Sequence, residues 1–250
     1  MPSAEDAFRF LGPAHLTVLA LTASVPVVLA ALAVKAKSAR LLRAIAVSLA
    51  VMLLASEVAH WIHGAATVSL REFLANYLPL HVCGAAIFLT AAALLVRNQT
   101  AYETAYFWGL AGTLQAVLTP NLKAGFPSFE FFRYFVAHGG IVTAVLFATW
   151  AMKMRPRQRS ILRTIIATHL FAGAIAVVNL LLDSNYMFLC APPDAPTFFF
   201  FLPWPWYVLF LDGVGVVLIV LLYLPFPAAD FFRRRGQMRG RTVEADGQQA

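Results

Sequence analysis

Two residues whose side chains could form a nucleophile and its base lie inside apolar segments of the chain. Cys83 lies early in the segment NYLPLHVCGAAIFLTAAALLV, and His138 lies at a similar depth in FFRYFVAHGGIVTAVLFATWA. The thiolate is the reactive form of cysteine, and a neighbouring imidazole can take the thiol proton. A free buried cysteine is also a common small hydrophobe. Which description applies to Cys83 depends on the elements that hold these two segments.

The composition indicates a membrane protein. Of 250 residues, 60% are hydrophobic and only 12% are charged, a higher apolar fraction than a soluble core of this length needs. A transmembrane helix takes about 20 mainly apolar residues. Charged residues, prolines and polar clusters divide the chain into seven such stretches, at 13–34, 42–63, 76–96, 102–119, 131–152, 161–182 and 205–225. The predicted fold class is therefore all-α, a polytopic bundle of seven transmembrane helices.

Basic residues fall mostly on one side of these spans. Of the 19 Lys and Arg residues, 15 lie in the loops after the first, third and fifth spans and in the C-terminal tail, and the other four, Arg9, Arg71, Lys123 and Arg133, are counted with the loops on the opposite side. Short cytoplasmic loops carry the excess of positive charge, so the N-terminus is predicted outside and the C-terminus in the cytoplasm. The net charge of +7 then needs no nucleic-acid partner.

The spans divide the chain into three parts. Residues 1–12 are predicted to be an extracytoplasmic segment, 13–226 the transmembrane domain, and 227–250 a basic cytoplasmic tail that is largely disordered. We interpret the first apolar stretch as a retained span, because acidic residues precede it and its basic residues follow it. The expected location is the cell (inner) membrane, with several passes.

Polar side chains concentrate in the outer halves of the predicted spans. An ionisable group within a membrane is costly and needs a partner or a water-filled cavity, so we expect a polar pocket that opens outward. Hydrogen bonds that join helices are the alternative, favoured for Gln115 and Asn179 individually. His169 lies deeper and is expected to be structural. The candidate supporting or pocket residues are His81, Glu57, His60, Gln115, Asn121, Asn179, Asp183, Asn185 and Asp212.

The chain has two cysteines, Cys83 and Cys190. Both lie toward the predicted oxidising side of the membrane and could form a disulfide, which would abolish a nucleophilic Cys83. A free Cys83 could be activated by a neighbouring base or by the N-terminus of its own helix, in whose second turn the predicted span places it.

Five segments between residues 76 and 226 resemble the YwaF family of bacterial integral membrane proteins, which is related to the eukaryotic transmembrane protein 164 acyltransferases. In chain order they are NYLPLHVCG, YFWGLAGTLQAVLTPNL, FPSFEFFRYFVAHGG, VNLLLDSNYMFLC and PWPWYVLFLD. The resemblance implies transfer of fatty acyl chains onto lysophospholipids by a cysteine and a histidine, at Cys83 and His138. The expected partners are membrane lipids, a phospholipid acyl donor and a lysophospholipid acceptor, and we expect no cofactor and no metal.

The mechanism that follows is covalent acyl transfer. His138 would take the Cys83 proton as the thiolate attacks a phospholipid ester, and would then activate the hydroxyl of a lysophospholipid or of water. An oxyanion forms in each step, and His81, Gln115 or Asn121 could donate a hydrogen bond to it.

Two other functions remain open. Glu57, His60, His81, His138 and Asp212 have side chains that zinc takes as ligands, so a metal-dependent seven-span lipid hydrolase is one alternative, although no HExxH motif is present. The polar layer could instead line the path of a transporter or channel, or the pocket of a lipid-binding protein.

Overall fold

The structure, a computed structural model, describes residues 7–193, 198–233 and 235. Within these residues the chain is helical, with one isolated β-bridge between Ala7 and Ala124. The predicted all-α class is therefore confirmed. The helices are α1 (Pro13–Ala36), α2 (Ala39–Thr67), α3 (Leu70–Asn76), α4 (Val82–Val96), α5 (Gln99–Phe107), α6 (Leu114–Leu118), α7 (Phe129–Trp150), α8 (Ser160–Leu182) and α9 (Trp206–Tyr223).

Among the residues that the structure describes, five helices are long and apolar enough to cross a membrane. They are α1, α2, α7, α8 and the helix Trp206–Arg233, which contains α9. The predicted third span corresponds to α4, which is apolar but has 15 residues. The predicted fourth span consists of α5 and α6 joined by a π-helical segment, Trp108–Thr113. The chain is thus a membrane protein with five candidate spans and two further apolar segments that are shorter or interrupted.

The start of the third predicted span differs most from the structure. The prediction began this span at residue 76, but Asn76 ends α3 and α4 begins at Val82. Pro79 lies between the two helices, and a proline disfavours helical backbone at the residue before it. His81 is the extended N-cap residue of α4. Cys83 therefore lies in the first turn of its helix, not in the second turn as the sequence suggested.

Helices α2, α4 and α7 form the centre of the bundle, because each packs against the other two. Their contacts bury Leu53, Ile87 and Ile141 almost completely. Of the most apolar stretch of each helix, 78% is buried in α7 but only 11% in α8 and in the helix that contains α9. The centre is therefore tightly packed, and the last two long helices lie at its edge.

Arginine side chains join helix ends at one end of the bundle, which we call the basic end. Arg43 at the start of α2 donates to the carbonyl of Leu95 near the end of α4, at 2.5 Å. Arg97, just after α4, donates to the carbonyl of Met152, just after α7, at 2.7 Å. These bonds use carbonyls that a helix C-terminus leaves without an intrahelical partner.

Glu103 in α5 is a buried carboxylate at the basic end. Its side chain is 2% exposed and accepts from Arg157, with Nε at 2.7 Å from Oε1 and Nη2 at 3.1 Å from Oε2. Gln99 and the backbone N–H of Arg157 also donate to it. A buried charge needs partners of this kind, and here they attach the loop before α8 to α5.

The opposite end, where α2, α6 and α8 end and α4, α7 and α9 begin, is called the site end. The fully buried His15 in α1 donates from Nε2 to the carbonyl of Val117 in α6, at 2.8 Å. The hydroxyl of Tyr186, after α8, donates to the carbonyl of Leu74 and accepts from the backbone N–H of Leu78. These contacts fix the loops that surround the start of α4.

The predicted terminal parts lie partly outside the described residues. The last helix extends to Arg233, so the first residues of the predicted tail are helical. Residues 1–6 and 236–250, which include most of the predicted disordered tail, are outside the described part of the chain.

Candidate functional site

Three central helices bring five of the predicted site residues to one place at the site end. Glu57 and His60 come from α2, His81 and Cys83 from the start of α4, and His138 from α7. All five interact electrostatically with a single side chain, the guanidinium of Arg133 in α7. The structure therefore groups these residues around one charge.

Cys83 lies where the free backbone N–H groups of a helix start are available. Its sulfur contacts its own backbone N–H and that of Gly84. Burial of the sulfur and the nearby Glu57 carboxylate oppose a thiolate here, whereas the helix N-terminus favours its negative charge. Gly84 permits this position, since a Cβ there would lie 2.9 Å from the Cα of Pro79. Both Cys83 and Cys190 are free thiols.

His138 has the tautomer that a general base requires. Its Nδ1 lies 2.6 Å from the carbonyl oxygen of Tyr134. A carbonyl oxygen only accepts, so Nδ1 carries the proton and Nε2 of the neutral ring keeps its lone pair. The imidazole of His138 also packs on the ring of Tyr134, with centroids 4.2 Å apart. Cys83 and His138 share no hydrogen bond in the described part of the chain, a common feature of such pairs before substrate binds.

His81 is held by the loop after α8. Its Nδ1 accepts from the backbone N–H of Met187 at 3.1 Å. The ring lies between the rings of Tyr186 and Phe188, each with its centroid 5.3 Å away. These contacts fix both the position and the rotation of the imidazole, two residues before Cys83.

Glu57 and His60 form the α2 side of the site. Glu57 is 5% exposed. The His60 ring stacks on Tyr77, with centroids 4.6 Å apart. Tyr77 crosses α2 at Gly64, where a Cβ would lie 2.2 Å from the tyrosine ring. The glycine therefore allows the segment before α4 to close over this side of the site.

A cavity of about 430 Å³ begins next to this cluster, between the π-helical segment, α6, α8 and α9. Its wall is mainly apolar and includes Val82 and Tyr134, the sequence neighbour of Cys83 and the ring neighbour of His138. Farther along the wall lie His169 and Asp212. The volume is within the range of small-molecule binding sites. The mainly apolar lining suits an apolar ligand, and in the described part of the chain the five cluster residues lie behind this wall and do not form it.

Three of the other predicted pocket residues, Gln115, Asn121 and Asp212, line the cavity. Gln115 and Asn121 contribute to the wall, and the backbone N–H of Asn121 donates to the Tyr134 hydroxyl at 3.3 Å. Asp212 pairs with His169, with Oδ1 and Nε2 3.3 Å apart. This pair joins α8 to α9, in agreement with a structural contribution from His169.

The remaining predicted residues act in the loop that follows α8. The amide oxygen of Asn179 accepts from the backbone N–H of Tyr186 at 2.9 Å, and Asn179 is buried. The amide oxygen of Asn185 accepts from the backbone N–H of Cys190 at 3.0 Å. Asp183 forms an exposed ion pair with Arg71 at 3.3 Å. The structure therefore does not bring these three side chains to the Cys83 cluster.

The sequence reasoning missed Arg133 and Tyr134. Arg133 was counted among the loop charges, yet it lies within α7, half-buried, with no ion-pair partner among the described residues. A guanidinium that no carboxylate of the described residues approaches within ion-pair distance is suited to an anionic group of a ligand. Tyr134 could have been found from its spacing, because it lies four residues before His138 on the same helix face.

The metal-hydrolase alternative requires a ligand cluster. Among the residues that the structure describes, no group of three His, Cys, Asp or Glu side chains is arranged to hold a metal ion.

If Nε2 of His138 takes the thiol proton, His138 should speed the reaction of Cys83 with iodoacetamide, because the thiolate is the form that attacks this reagent. In a Cys190→Ser background, His138→Ala should slow alkylation of Cys83 about tenfold or more, because the base is lost. The rate is measured by mass spectrometry of the Cys83 peptide. His169→Ala is the matched control and should leave the rate unchanged. Equal rates in wild type and His138→Ala would show that Cys83 is not activated by His138.

Comparisons with known proteins identify the family. The chain matches the model of the TMEM164 family over residues 10–223. An uncharacterised protein of Treponema pallidum (strain Nichols) is 26% identical over 151 residues, which cover 60% of this chain and 63% of that protein. The matched region is thus less than two thirds of that relative. No solved structure matches the chain. The relation predicted from the sequence is confirmed: the chain belongs to the TMEM164 family of membrane proteins.

Proposed function

We propose that this protein is a membrane acyltransferase that moves fatty acyl chains between phospholipids and lysophospholipids through a thioester on Cys83. The observation that carries the proposal is a thiol at a helix N-terminus, grouped with a histidine whose Nε2 can accept a proton. The wall of an apolar cavity includes Val82, the sequence neighbour of Cys83, and Tyr134, whose ring packs on His138. Thiol, base and apolar cavity are the three parts that this chemistry needs.

In the first half-reaction, Nε2 of His138 takes the proton of the Cys83 thiol. The thiolate attacks the ester carbonyl carbon of a phospholipid and forms a C–S bond. The C–O bond then breaks, and the leaving lysophospholipid oxygen takes the proton from His138. The products are a thioester on Cys83 and a neutral lysophospholipid.

In the second half-reaction, the hydroxyl of another lysophospholipid gives its proton to His138. Its oxygen attacks the thioester carbonyl carbon, the C–S bond breaks, and the thiolate takes the proton back. The reaction exchanges one oxygen ester for another, so it balances without an oxidant, a reductant or a nucleotide.

The cavity would hold the acyl chain during both steps. Its wall is mainly apolar and includes Val82, the sequence neighbour of Cys83, so the acyl chain would extend from the thioester past Val82 and between α6, α8 and α9. Arg133 would bind the phosphate of the lipid head group, since a phosphate is an anion that an arginine binds well.

The proposed topology has seven membrane-crossing segments, the five long helices together with α4 and the α5–α6 segment, with the N-terminus outside. The asymmetry of basic residues supports it. Residues 1–12, 13–226 and 227–250 would then be the outer segment, the membrane domain and the cytoplasmic tail, and the protein would lie in the cell (inner) membrane. The catalytic site would open toward the outer leaflet.

The orientation is tested with a membrane-impermeant maleimide on a Cys83→Ala variant, in which only the exposed Cys190 can react. We expect labelling in intact spheroplasts without permeabilisation, because Cys190 lies in a predicted outer loop. Inside-out vesicles are the control and should be labelled only after detergent is added. The opposite pattern would reverse the proposed orientation.

The thioester itself is the main test of the proposed function. Purified protein incubated with a phospholipid that carries a labelled acyl chain should retain label that neutral hydroxylamine releases, since hydroxylamine cleaves thioesters. Mass spectrometry should place the label on Cys83. Cys83→Ser should abolish the hydroxylamine-sensitive label, and Cys190→Ser should keep it. Full transfer activity in a folded Cys83→Ser variant would exclude the covalent mechanism, and lipid binding without any thioester would favour a lipid-binding protein.

The cavity predicts which acyl chains are accepted. A Cβ on Gly112 would meet only the Val82 side chain, at 3.9 Å, so the longer side chain of Gly112→Leu should occupy the cavity beside Val82. We expect the rate with 16-carbon and 18-carbon donors to fall about tenfold or more relative to 6-carbon donors. Gly173→Leu is the matched control, because Gly173 has open space around it and does not line the cavity. An equal loss for all chain lengths would contradict this use of the cavity.

A further inference from the structure

Two histidines of the cluster, His81 and His138, have opposite hydrogen-bonding roles. Nδ1 of His138 donates to a carbonyl oxygen, so its Nε2 is an acceptor. Nδ1 of His81 accepts from the backbone N–H of Met187, so its Nε2 carries the proton when the ring is neutral. The His138 ring is therefore arranged to take a proton. The His81 ring is arranged to donate a hydrogen bond while it keeps its proton.

The His81 donor is also not used within the protein. In the described part of the chain, Nε2 of His81 has no hydrogen-bond acceptor, although the ring is enclosed by Tyr186 and Phe188. A donor held in fixed orientation without an acceptor is available to a ligand. The rigid contacts on the other side of the ring supply the preorganisation that such a donor needs.

His81 lies beside the wall of the cavity, although its own side chain is not among the described residues that line it. His81 is two residues before Cys83, and the wall of the cavity includes its sequence neighbour Val82 and its loop contacts Met187 and Phe188. In the proposed reaction the ester carbonyl must lie at the Cys83 sulfur, two residues along the chain from His81. Gln115 and Asn121 also line the cavity, but they belong to α6 and the loop after it rather than to the helix start that holds the thiol.

We propose that His81 is a catalytic residue whose Nε2–H stabilises the tetrahedral oxyanion. This inference rests on the proposed acyltransferase function. When the Cys83 thiolate adds to the ester carbonyl, the oxygen becomes negative and accepts a hydrogen bond from His81. His81 keeps its proton throughout, while His138 holds the proton that came from the thiol. As the C–O bond breaks, the carbonyl re-forms and the bond to His81 weakens.

The test uses two variants that preserve the start of α4. The amide oxygen of His81→Asn can take the place of Nδ1 and accept from Met187, and asparagine is among the best N-cap residues, but its side chain does not reach the Nε2 position. His81→Gln extends its amide N–H to about that position. Acyl transfer and iodoacetamide alkylation of Cys83 are measured for both variants in the Cys190→Ser background.

We expect His81→Asn to lower kcat for acyl transfer about 10²–10³-fold with KM little changed, and His81→Gln to recover at least part of the loss. Alkylation by iodoacetamide should keep its wild-type rate in both variants, because this displacement forms no oxyanion. The contrast separates His81 from His138, whose removal should slow both reactions.

Three results would overturn the inference. If His81→Asn slows alkylation as much as transfer, His81 acts on the thiolate. If it retains full transfer, no donor is needed at this position. If wild type forms no thioester and transfers no acyl chain, the proposed function itself fails, and this is seen before any His81 variant is made.

Discussion

The short length of α4 is the constraint on which the candidate site depends. Fifteen residues extend about 22 Å, less than the roughly 30 Å of a bilayer core. The end of α4 is attached to the basic end through Leu95 and Arg97, so its start does not extend as far as the start of a helix that spans a bilayer. The N–H groups that this start leaves without intrahelical partners lie at Cys83. Cys83 occupies this point, and the polar side chains from α2 and α7 surround it.

Much of this arrangement could be predicted from composition and charge. The boundaries of α1, α7 and α8 lie within two residues of the prediction, because each is a long apolar stretch bounded by charged or polar residues. The start of α4 was predicted too early, because hydropathy continues across Pro79 while helical backbone does not. This difference moved Cys83 from the second turn of a helix to the first, which changes the environment of the thiol.

Depth along the spans identified the centre of the site but not its limits. Glu57 and Cys83 share a depth and meet, because their helices pack on each other. Asn179 has a comparable depth, yet its side chain stabilises the loop after α8. Depth gives the height of a residue in the bundle and contains no information about its direction around the helix axis. Arg133 was missed for the complementary reason, since a charge near a span end was assigned to a loop.

The loose packing of the last two long helices has a consequence for how such a protein would choose its lipids. The cavity lies along α8 and α9, which are largely uncovered by the rest of the chain. For an acyltransferase, this means that lipids would enter sideways by two-dimensional diffusion and that water-soluble delivery would be unnecessary. Bilayer lipids are so concentrated that the cavity would be occupied at nearly all times. Selectivity among lipids would then depend on which occupant reacts fastest, not on which one binds most tightly.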